Sequence, residues 1–192
     1  MVIDEISVTI LLLGDEKVGK TTFLSRISGG SGSLDGSTPI TLLRDIDQPF
    51  IFELRNRRYK YRLEFHDTSG PENWQLLRPD LVLICYDISQ RGSLVNMQRV
   101  WIKEVHGTFK NDTLPVIVVG LKRDLRSEDD PNGIIYPEEG YKVSQEMRAD
   151  KYIECSAVTG ELLKLAFEEI CKTAAQTAEE KGGQSEGGCT VS

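Results

Sequence analysis

The chain is poor in the residues that cross-link or anchor a protein. Its four cysteines, Cys85, Cys155, Cys171 and Cys189, are scattered through 192 residues, a pattern that argues against a disulfide framework and a zinc site and fits a reducing compartment. The two histidines, His66 and His106, have no companions at metal-binding or catalytic spacing and read as structural. No apolar stretch approaches 18 residues and no signal peptide is evident, so the expectation is a protein neither secreted nor membrane-spanning. Positive charge is not in surplus: 30 acidic against 23 basic residues leave a net charge of -7, which argues against nucleic acid as a partner. No segment repeats. The length suits one domain able to bury about 70% of the surface of its unfolded chain.

Against that background one octet is decisive. Gly14-Asp15-Glu16-Lys17-Val18-Gly19-Lys20-Thr21 follows the apolar run from Ile6 to Leu13, the position of a phosphate-binding loop between a buried strand and a helix. Glycine at its ends lets backbone N–H groups gather around a polyphosphate. Lys20 supplies a cation to the terminal phosphates, and the Thr21 hydroxyl can ligate Mg²⁺. The expected ligand is a nucleoside triphosphate with its metal.

Six apolar runs read as strands: Ile6 to Leu13, Phe50 to Leu54, Tyr59 to Phe65, Leu81 to Tyr86, Val116 to Val119 and Tyr152 to Glu154. Helical patterns cover Thr21 to Ile27, Ser93 to His106 with Leu94, Met97, Val100 and Trp101 on one face, and Gly160 to Ala178. The alternation predicts an α/β fold with a six-stranded, mostly parallel sheet flanked by helices and ligand at the carboxyl ends of the strands. The second and third strands, joined across Arg55 to Arg58, form an antiparallel edge hairpin. Ser28 to Ser37 is glycine- and serine-rich and reads as loose, as does the polar tail from Glu179 to Ser192.

Three motifs follow the loop. Asp67-Thr68-Ser69-Gly70, after the third strand, supplies a second metal-site carboxylate and a glycine able to approach a terminal phosphate. Gly120-Leu121-Lys122-Arg123-Asp124 places a carboxylate where it can accept from N1–H and the 2-amino group of guanine. Glu154-Cys155-Ser156-Ala157 follows the last strand. In order and spacing these motifs resemble those of the Ras superfamily of small GTPases over about residues 5 to 178, a P-loop NTPase fold. Leu77-Arg78-Pro79 and Glu154-Cys155-Ser156-Ala157 are most similar to the Rho branch. The resemblance implies a GTP/GDP switch with Mg²⁺, acting through effector proteins and loaded by an exchange factor. It assigns the octet, Thr22 and Gly70 to phosphate, Thr21 and Asp67 to the metal, and Lys122, Asp124, Ser156 and Ala157 to guanine. It also implies a GTPase domain over residues 1–178 with a tail over 179–192, and a monomer.

The departures from the family carry their own expectations. Where the family has the glutamine that orients the attacking water there is Pro71, which has neither a side-chain donor nor an N–H. Glu16 stands where glycine is usual and adds a negative charge beside an anionic transition state. Both predict slow hydrolysis, a pattern shared with atypical Rho proteins held in the GTP state. The first switch reads Ser37-Thr38-Pro39-Ile40-Thr41, and spacing does not separate Thr38 from Thr41 as metal ligand. No aromatic among Gly29 to Gly36 can lie against guanine, Leu121 replaces a polar residue at the base edge, and the Rho insert shrinks to Arg126 to Pro137. The second switch has room only for a truncated helix. Two other readings stand beside the leading one: a pseudo-GTPase interaction domain with little nucleotide affinity, and a working GTPase whose water is placed by Glu72 or Glu16.

Cys189-Thr190-Val191-Ser192 matches a prenylation box, with serine last favouring farnesyl. That places the protein on the cytoplasmic face of a membrane with a cytosolic pool. One lipid chain binds weakly, and Lys181 is the only basic residue of the last dozen, so stable anchoring needs another surface. Arg55, Arg57, Arg58, Lys60 and Arg62, alternating with Tyr59, Tyr61 and Leu63, read either as a two-faced strand or as a basic face toward lipid or an acidic partner. Trp74 reads equally as an exposed effector anchor or as packing, and Trp101 as core.

Overall fold

The computed structural model describes residues 5–55, 59–67, 71–74, 76–111 and 113–185. Six strands, β1 (Glu5–Leu13), β2 (Phe50–Arg55), β3 (Lys60–Asp67), β4 (Leu81–Asp87), β5 (Val116–Leu121) and β6 (Lys151–Glu154), form one sheet in the order β2-β3-β1-β4-β5-β6. Every neighbouring pair is parallel except β2 with β3, the edge hairpin, where Phe50 opposes Phe65. All seven residues of β4 are buried, which is why that run is continuously apolar rather than alternating.

Helices cover both faces. On one, Phe23 and Leu24 of α1 (Lys20–Ser28) and Ala166, Ile170 and Ala174 of α6 (Leu163–Ser185) pack on Ile10, Leu12 and Leu83. On the other, Leu94, Met97, Ile102 and Val105 meet Leu11, Val82 and Ile84. The second group comes from α3 (Arg91–Asn96) and α4 (Ile102–Phe109), joined without a break through a π-helical segment, Met97–Trp101. That segment corrects the expected apolar face. A π turn holds more residues than an α turn, so Val100 rotates outward and is 44% exposed while Ile102 takes the buried place.

The second switch contains a single-turn helix, α2 (Pro71–Trp74), with proline at its first position, where the missing N–H is harmless. Trp74 is fully buried against Phe109, ring centroids 5.5 Å apart, so packing is its role. The helix α5 (Pro137–Glu146) begins where the sequence reading ended the insert; Pro137 at its start and Glu138 and Glu139 in its first turn are the signals that mark it. The last helix runs past Ala178 to Ser185, and Tyr61 donates to Glu179 at 2.6 Å.

The glycine- and serine-rich segment after α1 is also tied down, contrary to its composition. Asp35 accepts from the Ser37 amide and hydroxyl, and Gly36 meets Gly160 so closely that a Cβ on either would lie within 2.4 Å of backbone. On the hairpin, Lys60 pairs with Glu5 and Glu53, and Arg62 with Glu64, while Tyr61 and Leu63 face the core. That is the two-faced strand, with Lys60 and Arg62 both ion-paired; Arg57 and Arg58 lie outside the described residues. Among the described residues no helix is long and apolar enough to cross a membrane.

Candidate nucleotide site

The octet sits at the carboxyl end of β1. Gly14 has φ 137, and a Cβ there would fall 2.2 Å from the Cys85 carbonyl oxygen, so this bend against β4 demands glycine. Gly19, left-handed, opens α1. Lys20 is buried and donates to the Gly14 and Asp15 carbonyls at 2.9 Å each, which keeps its ammonium across the mouth of the loop. Asp15 is pinned from the side: its carboxylate accepts from Trp101 Nε1 at 2.7 Å and Asn96 Nδ2 at 2.8 Å. The π segment therefore aims the indole at the loop, a role beyond the core packing that helical spacing suggested.

Thr21 donates to Asp67 Oδ2 at 2.6 Å, bringing together, from opposite ends of the sequence motifs, the hydroxyl and the carboxylate expected at the metal. Both line a cavity of about 800 Å³ with Lys20, Glu16, Asp45 and Gln48. Hard oxygen donors beside a phosphate loop suit Mg²⁺, and the volume lies in the range of ligand sites. Thr38 and Thr41 are elsewhere. They line a separate cavity with Ser25 and Leu43, and Thr38 is engaged by Arg26. The segment contributes Asp45 and Gln48 instead, which sequence reasoning missed because the register of the first switch was open, and α2 contributes Asn73, which no motif marks. Gly70 lies outside the described residues, as does Cys189.

A second cavity of about 380 Å³ adjoins the first through Gly19, Thr22 and Lys122. Leu121, Asp124, Ala157 and Val158 complete its walls. Ser156 is buried and donates to Asp124 Oδ1 at 2.5 Å, orienting the exposed carboxylate. Arg26, only 3% exposed, spends its guanidinium on carbonyls: Ala157 at 2.6 Å, Val158 at 3.3 Å and Thr38 at 2.5 Å. Leu121 is buried and brings no polar atom to this cavity.

A mostly parallel sheet whose first loop borders a cavity with a hydroxyl and a carboxylate on one side and a second, carboxylate-bearing cavity on the other has the arrangement of a phosphate-loop nucleotide-binding protein. Comparison narrows the class. The Ras family profile matches residues 9–176, and the chain belongs to that family. It is 30% identical over 188 residues to "GTP-binding protein RHO1" of Candida albicans, covering 90% of each chain. It is equally 30% identical to "GTP-binding protein rho1" of Schizosaccharomyces pombe (86% of this chain, 85% of the relative). "Rho-related protein racL" of Dictyostelium discoideum is also 30% identical (86% and 88%). The protein is a Rho-like small GTP-binding protein of the Ras superfamily, and proteins of this family bind GTP or GDP with Mg²⁺ and engage effectors and exchange factors.

Proposed function

We propose that the protein is a membrane-associated signalling switch that binds GTP and hydrolyses it slowly or not at all. The observation that carries this reading is Glu16, which lines the cavity shared by Lys20, Thr21 and Asp67; in the sequence, Pro71 stands where the family has its water-orienting glutamine. Negative charge there opposes the transition state, and proline offers nothing to hold the water.

In this reading the Gly14 to Thr21 loop, Thr22 and Gly70 hold phosphate, and Thr21 and Asp67 hold Mg²⁺. Lys122, Asp124, Ser156 and Ala157 hold guanine. Residues 1–178 are the switch domain and 179–192 the tail, farnesylated at Cys189; the protein acts as a monomer through effectors. The test is the nucleotide that copurifies with the protein, released by denaturation and quantified per chain. GTP supports the reading, and GDP overturns it on hydrolysis. A protein that is empty and stays empty with added GTP and Mg²⁺ is instead a pseudo-GTPase.

A further inference from the structure

We propose that Asp87 is a positioning residue for guanine, acting through Lys122 and replacing the polar anchor that Leu121 cannot supply. The inference rests on the guanine-nucleotide reading of the site above.

Lys122 needs an anchor. Its backbone is left-handed, φ 58, an unfavourable conformation for a residue with a Cβ. Its stem forms part of the base cavity, with Cε 3.4 Å and Cγ 3.7 Å from where a Cβ on Gly19 would stand. The preceding side chain, Leu121, is buried and has no hydrogen bond to offer. The ammonium is fixed at its far end instead, to the Lys17 carbonyl at 2.6 Å and to Asp87 Oδ2 at 2.7 Å.

Asp87 is built to do this. It ends β4 and is 4% exposed. Its second oxygen, Oδ1, accepts from the Ser89 amide at 2.8 Å and the Ser89 hydroxyl at 2.7 Å, so the carboxylate cannot swing away from the lysine. Its own amide donates to Ser93 Oγ at 2.9 Å. The pair therefore links the end of β4, the phosphate loop and the base cavity through one side chain. A charge-assisted bond of this kind to a buried carboxylate sets where the lysine stem lies, and the stem sets where a base can lie.

The test uses the full chain, with Asp87→Ser, the shape-conserving Asp87→Asn, Lys122→Met and the double variants. Stopped-flow release of fluorescent GDP is read beside competition by tripolyphosphate with Mg²⁺, which occupies the phosphate loop without a base. Asp87→Ser should release GDP about 10- to 100-fold faster, the size expected for one charged hydrogen bond, and Asp87→Asn by a smaller factor. Tripolyphosphate affinity should stay within about 2-fold, and in the Lys122→Met background the Asp87 substitutions should have little further effect. Equal losses for both ligands, or an Asp87 effect undiminished without Lys122, would reduce Asp87 to a framework residue. If Asp87→Ser does not fold, Asp87→Asn decides alone by the same criteria. Wild-type protein that binds GDP, with variants unchanged, overturns this inference only; wild-type protein that binds no guanine nucleotide overturns the reading of the site and the inference together.

Discussion

Gln48 closes on Asp67 like a strand partner: its Nε2 donates to the Asp67 carbonyl at 2.7 Å, and its Oε1 accepts from the Asp67 amide at 3.0 Å. The carboxamide thus continues the β2–β3 ladder beyond Pro49, which has no N–H to lend. Gln48→Ala leaves both backbone groups of a proposed metal ligand unpaired. It should lower stability by about 1–3 kcal/mol and raise the Mg²⁺ concentration needed to retain nucleotide, read from urea melts and from nucleotide release during EDTA titration. Unchanged Mg²⁺ dependence would detach Gln48 from the metal site.

The Trp101–Asp15 bond makes a reporter of the indole. Trp74 is fully buried among apolar residues, whereas Trp101 touches the phosphate loop. Nucleotide binding should change intrinsic emission in Trp74→Phe protein and leave it flat in Trp101→Phe protein, which should also lose about 1 kcal/mol of stability. A signal that follows Trp74 instead would sink this expectation.

Restoring the family residues tests the block on hydrolysis. Glu16→Gly with Pro71→Gln should raise the single-turnover rate by about 10-fold or more, and either change alone by less. An unchanged double variant would place the defect elsewhere.

Burial pushes the thiols of Cys85 and Cys155 up from an ordinary value of 9.0 to about 12. The folded chain then keeps two protons that the unfolded chain has released, so their contribution is intact below about pH 9 and is lost as pH climbs toward 12. Denaturant midpoints should fall across that window, and alkylation at pH 8 should spare both thiols until the chain unfolds. Fast modification of native protein would contradict their burial.

The sheet was legible because its signals are local. Each apolar run became a strand, and the glycines of the octet marked the turn. What stayed hidden depends on partners far along the chain. Arg26 reads as an ordinary helix cation, yet its acceptors include a carbonyl 131 residues away, and the same guanidinium reaches Ser33 and Thr38, in and just beyond a segment whose composition suggests slack. Val100 followed an α period that the π segment breaks. Asp45, Gln48 and Asn73 carried no motif; the path of the first switch brings the first two to the cavity, and α2 brings Asn73. Helix α5 is hidden in the sequence because Pro137, which reads as the end of an insert, is the first residue of a helix.

Arg26 also gears two moving parts together. A partner that levered Thr38 outward would strip one acceptor from a guanidinium that at the same moment braces Ala157 and Val158. A buried cation short of acceptors is costly, so loosening the Thr38 segment and loosening Ala157 and Val158 draw on the same few bonds, and a push on the cavity of one is felt at the cavity of the other.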